Sequence, residues 1–235
     1  MSNHALSGEK VLKHRLSSRL FHWALIISFL PAAATGVIIW LKFGGEDFVN
    51  LAMKIHIVGA AILTLSCILY TLFSFDRVVA FLRVAFKFGK DDIEWMQVCG
   101  GYPQKMFLGK EVPVPPMDKM NSGQKMLGLL VLFGTILLIF TGWMLYMFIP
   151  FIPKEISLYA HWIHWGLGLL LGASILAHIF LGIYNWDDFK AMLGNGTMPI
   201  EVANHHNPLW VFEKIERVDG SDKKATDKGN VSTSV

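Results

Sequence analysis

Cysteine is nearly absent from this chain of 235 residues, and the two that occur, Cys67 and Cys99, cannot form a ligand set. There is no C-x-x-C-H for covalent haem attachment, and no cysteine cluster for an iron–sulfur centre or a thiolate zinc site. Any inorganic cofactor must therefore be held by histidine. Charge is scarce as well: Asp, Glu, Lys and Arg make up 17% of the chain against 53% hydrophobic residues, a balance that excludes a large water-facing domain. No phosphate-binding glycine loop, no Ser–His–Asp pattern and no internal repeat is present. The net charge of +3 is too small to suggest nucleic acid.

What the sequence has is apolar length. Four runs reach the roughly twenty residues that a bilayer-spanning helix needs: Leu20–Leu41, Leu51–Phe75, Met126–Ile149 and Ile156–Tyr184. The expected fold is all-α, an integral membrane four-helix bundle. The first run follows basic residues and contains "PAAATG", as a signal peptide would, but it continues through Val37–Leu41 and is too long for an h-region. It reads as a retained span.

The basic residues set the expected orientation. Lys10, Lys13, Arg15 and Arg19 precede the first run, and Arg77, Arg83, Lys87, Lys90, Lys105, Lys110, Lys119 and Lys125 fill the connection between the second and third. The connections Lys42–Asn50 and Pro150–Glu155 are short and nearly uncharged on balance. Both termini are thus expected in the cytoplasm. Residues 1–216 form the expected membrane domain with its cytoplasmic tail, and 217–235 read as a disordered tail.

Histidines inside the spans carry the functional signal, because lipid cannot satisfy an imidazole. With the expected topology, His22 and His178 lie toward the cytoplasm, whereas His56 and His164 lie near the outer surface. His164 and His178 are fourteen residues apart, about four turns, so they share a helix face and lie about 21 Å apart along it. That spacing suits two haems stacked across one membrane, each with one axial imidazole from the fourth span and one from a facing helix. His4, His14, His205 and His206 read as interfacial side chains. Gly36, Gly59, Gly142, Gly166, Gly168 and Gly172 would admit a flat macrocycle edge or simply let helices pack closely. Four histidines sorted by depth into two pairs point to bis-histidine b haems; a metal transporter or an inert anchor would need no such sorting.

The ordered motifs "RLFHW", "KIHIVG", "KMNSGQKM", "WIHWGLG", "LAHIFLGIYNWDDFKAMLGNGTM" and "HHNPLW" resemble the cytochrome b (gamma) subunit of membrane-bound formate dehydrogenases. That group lies within the di-haem cytochromes b that include the nickel–iron hydrogenase cytochrome b. The likeness runs from about Arg15 to Glu216. It implies two haem b groups on His22, His56, His164 and His178, and a quinone site (menaquinone or ubiquinone) made by Asn121, Gly123 and Gln124 beside His178. It also implies an iron–sulfur (beta) subunit and a catalytic (alpha, molybdenum- or tungsten-containing) subunit as partners, and the bacterial inner membrane as location. A quinone carbonyl needs a hydrogen-bond donor such as Asn121; equally, Asn121 and Gln124 spell a helix N-cap and capping box. A hydrogenase, another periplasmic oxidoreductase or a free-standing haem reductase would use a similar bundle. The loop 89–118 departs from the family pattern; its Pro113–Pro116 end is expected to be extended. His161 is a second departure, expected as an interfacial ring near the outer haem.

Overall fold

Apolar runs of twenty or more residues dictate four long helices, and a computed structural model describing residues 9–214 contains them. They are α1 (Leu16–Leu41), α2 (Glu46–Phe73), α6 (Ser122–Met147) and α7 (Lys154–Tyr184), each long and apolar enough to cross a bilayer. Between α2 and α6 lie the short helices α3 (Phe75–Ala85), α4 (Lys90–Gln97) and α5 (Tyr102–Leu108). After α7 come α8 (Trp186–Leu193), α9 (Ile200–His206) and α10 (Pro208–Lys214). Two three-residue strands, β1 (Lys10–Leu12) and β2 (Thr197–Pro199), pair antiparallel with Val11 opposite Met198.

Short connections force antiparallel neighbours. Lys42 adopts a left-handed conformation at the end of α1, and Gly44 and Gly45 complete the reversal into α2. Proline at Pro31 does not break α1. Most of the surface of these helices is apolar and outward-facing, as lipid contact requires. The buried centre is small: Phe29, Leu63, Leu138 and Leu171, one from each spanning helix, form a single cluster. Phe29 follows His22 by seven residues, Leu63 follows His56 by seven, and Leu171 sits midway between His164 and His178. The cluster therefore lies at mid-depth.

Where α1 begins and α7 ends, the first and last described segments build a compact cap. Val11 from β1 packs with Ala191, Met198, Ile200, Ala203 and Trp210. Lys13, only 3% exposed, pairs with Asp188 and donates to Asn207 Oδ1 at 2.8 Å. Asn207 donates in turn to the Asp118 carbonyl at 2.6 Å. The segment from α8 to α10 thus folds back on the N-terminal segment. His14, expected as an interfacial side chain, is half-buried in the cap, and burial, with Lys13 and Lys119 beside it, lowers its pKa to about 3. His205 is exposed, His206 lies 3.4 Å from Asp188, and His4 and the expected disordered tail 217–235 lie outside the described residues.

Candidate functional site: two imidazole pairs and the head of α6

The structure brings the four sequence-selected histidines together in two pairs. His22 on α1 faces His178 on α7 with ring centres 6.3 Å apart; His56 on α2 faces His164 on α7 at 6.1 Å. Two imidazole nitrogens each about 2.0 Å from one metal, with roughly 1.1 Å from nitrogen to ring centre, place ring centres about 6.2 Å apart. Both pairs have that separation. Among the described residues no group of three or more His, Cys, Asp or Glu side chains converges. A bare ion would lack ligands in such a site, whereas a macrocycle supplies its own equatorial donors and asks the protein for two axial ones.

The His56–His164 pair, the outer one in the expected orientation, is closely fitted. A Cβ on Gly142 would stand 2.9 Å from His164 Cε1, and one on Gly36 would stand 3.3 Å from His56 Cε1. These two glycines make room for the imidazoles themselves. Gly59 has the other role considered for small residues, since its Cβ would meet the Ser28 carbonyl at 2.9 Å and Ala32 Cβ at 3.2 Å across α1. Gly166, Gly168 and Gly172 have open space on their Cβ side.

Each outer ring is also hydrogen-bonded through Nδ1. Thr141 Oγ1 lies 3.1 Å from His164 Nδ1; the Ala32 carbonyl lies 2.8 Å and Thr35 Oγ1 3.4 Å from His56 Nδ1. Thr35 and Thr141 are buried. Sequence reasoning missed both threonines, although a signal was there: each precedes one of the two ring-contacting glycines, in the Thr-Gly pairs of the first and third spans. His161 is exposed on α7, one turn before His164.

At the other end, Asn121 caps α6. Its side chain accepts from Gln124 N at 2.9 Å while Gln124 Oε1 accepts from Asn121 N at 3.0 Å, the reciprocal capping box. Both side-chain carbonyls are thereby used, which leaves the two amide NH2 groups as donors. Gly123 faces Trp95 of α4, whose ring edge lies 2.9 Å from where a Cβ would be. Trp95 also packs against Gly100 in a left-handed turn and against Tyr102, and the Tyr102 hydroxyl accepts from Asn185 Nδ2 at 3.2 Å. Burial raises the Tyr102 pKa, so the phenol stays protonated.

Below that lies a buried ion pair. Lys125 donates to Asp92 Oδ1 at 2.7 Å and to the Lys87 carbonyl at 2.8 Å, and Ser122 donates to the same carboxylate oxygen at 2.8 Å. Burial would raise the Asp92 pKa, but the bonds from Lys125, Ser122 and the Gly89 amide outweigh it and the net shift is downward. Within loop 89–118, α4 is therefore clamped on the head of α6, a 3-10 turn (Cys99–Gly101) and α5 follow, and the proline-rich end lacks helix and strand, as expected.

The comparison with known proteins now bears on this geometry. A model of the prokaryotic cytochrome b561 family matches residues 13–195. The chain belongs to that family. It is also 25% identical over 228 residues to the cytochrome b556 subunit of formate dehydrogenase from Haemophilus influenzae, spanning 92% of this chain and 88% of that protein. A member of the cytochrome b561 family with four spanning helices is a multi-pass bacterial membrane protein that transfers electrons through haem b. The paired imidazoles fit that cofactor.

Proposed function

We propose that this cytochrome b561 family member is the membrane-anchoring di-haem subunit of a periplasmic formate dehydrogenase, and carries that enzyme's electrons across the membrane to quinone. The observation that carries the reading is the pair of matched imidazole separations, 6.1 and 6.3 Å, at two depths of one bundle. His56 and His164 would hold the outer haem, and His22 and His178 the inner one. Two haems, when bound, supply one-electron carriers at two depths. The chain's part is to ligate, space and insulate. The mid-depth layer of Phe29, Leu63, Leu138 and Leu171 keeps water out between the pairs, so that charge crosses the bilayer without a proton leak. At the cytoplasmic end, the free amides of Asn121 and Gln124 offer donors to a quinone carbonyl, with Gly123 seated on Trp95 between them.

The partner assignment follows the name of the Haemophilus influenzae relative. The partners are then an iron–sulfur (beta) subunit on the outer face and a catalytic (alpha, molybdenum- or tungsten-containing) subunit beyond it. The basic residues support cytoplasmic termini and the inner membrane. Electrons moving inward while quinone takes protons from the cytoplasm would charge the membrane. Purification in mild detergent tests this reading. Formate dehydrogenase subunits should copurify, with two acid-acetone-extractable haems per chain; a hydrogenase, or no partner at all, would refute the assignment.

A further inference from the structure

The two imidazole pairs are held differently. In the outer pair each Nδ1 faces a threonine whose hydroxyl proton is already committed: Thr141 donates to the Leu137 carbonyl and Thr35 to the Pro31 carbonyl, both at 2.6 Å. Their oxygens can then only accept, so His164 and His56 carry the proton on Nδ1 and leave Nε2 free as the metal-binding nitrogen. At His56 the Ala32 carbonyl, 2.8 Å from Nδ1, adds to this. Two hairpins without sequence repetition thus arrive at one arrangement. In the inner pair, His22 Nδ1 is buried without a hydrogen-bond partner, and His178 has no hydrogen bond among the described residues.

An imidazole that donates from Nδ1 is a more basic ligand at Nε2, and a more basic ligand favours ferric over ferrous iron. We propose that Thr35 and Thr141 are positioning residues that hold the outer haem's reduction potential below the inner one's, so that transfer from the outer to the inner haem is downhill. This rests on the assignment of the four histidines as axial ligands.

The test is spectroelectrochemical titration of the purified holoprotein, with the two haems assigned by the single-haem forms His56→Ala and His178→Ala. The outer haem should be at least tenfold harder to reduce, about 59 mV for one electron. The double variant Thr35→Val/Thr141→Val should raise the outer potential, leave the inner one in place and keep two haems; Thr141→Ser, which keeps a hydroxyl, should titrate as wild type. Equal or inverted potentials in the wild type would overturn the proposal. So would an outer potential unmoved in a double variant that retains two haems. A wild-type haem content other than two would instead overturn the ligand assignment, so the two failures are distinguishable.

Discussion

Replacing Gly142 by alanine asks whether the imidazole fit at the outer site is real. The added Cβ would stand 2.9 Å from His164 Cε1, about half an ångström inside the 3.4 Å at which ordinary contact begins. At Gly36 the same substitution would bring Cβ to 3.3 Å from His56 Cε1, short by about a tenth. Metal–ligand distances tolerate deviations of roughly 0.2 Å. The first displacement exceeds that tolerance and the second does not. Overpacking of this kind also costs about 1–3 kcal/mol, which a four-helix bundle in lipid can absorb without unfolding. Gly142→Ala should therefore contain close to one haem per chain by pyridine haemochrome, with the inner spectrum intact, whereas Gly36→Ala should keep two. Two haems with native bands in Gly142→Ala, or equal loss in both variants, would refute the reasoning.

Asn121→Asp caps α6 as well as asparagine does but offers a quinone carbonyl a negative charge in place of a donor; haem content should stay at two while reoxidation by a quinone analogue slows, and equal rates would reduce Asn121 to a cap. His14, lowered to about 3 chiefly by burial and then by Lys13 and Lys119, stays neutral in the folded cap while the unfolded chain takes up a proton near 6.5. Cap stability should thus fall by at most about 1.4 kcal/mol per pH unit as pH drops from 6.5 toward 3, read as faster hydrogen exchange at Val11, with the slope flattened in His14→Leu. Lys125→Ala leaves Asp92 buried without its cation and should weaken the clamp of α4 on α6 by about 3–5 kcal/mol, seen as protease cleavage within 89–118 at wild-type haem content.

The spans were legible from hydropathy over twenty residues, and the histidine pairs from the alternating direction of the spans, which sorts the rings by depth, together with a fourteen-residue spacing that returns to one helix face. The threonines were not, since Thr141 meets His164 only after α6 and α7 have packed, and a lone Thr-Gly pair in an apolar run has many uses. Charge counting used Lys13 and Lys125 only as orientation signals, because the positive-inside pattern registers sign and not exposure; both are 5% exposed or less, locked to Asp188 and Asp92. Loop 89–118 hid α4 and α5 because helices of eight and seven residues have too few turns to show a period. Its turn at Gly100 and Gly101, both with positive φ, had the composition of an ordinary loop. The C-terminal cap was obscured in the same way, by short elements whose apolar residues find one another only across the chain's two ends.

The central claim is that electrons enter at His56 and His164 and leave for quinone beside His22 and His178. Rapid-mixing spectroscopy on membranes carrying the complex tests it most directly, with formate supplied outside and a quinone analogue added afterwards. His178→Ala should retain one haem that formate reduces and the quinone analogue fails to reoxidise at the wild-type rate. His56→Ala should retain one haem that formate no longer reduces. If His178→Ala is reoxidised as fast as wild type, or if both variants keep two haems with native spectra, the pairing and the direction proposed for this chain are contradicted.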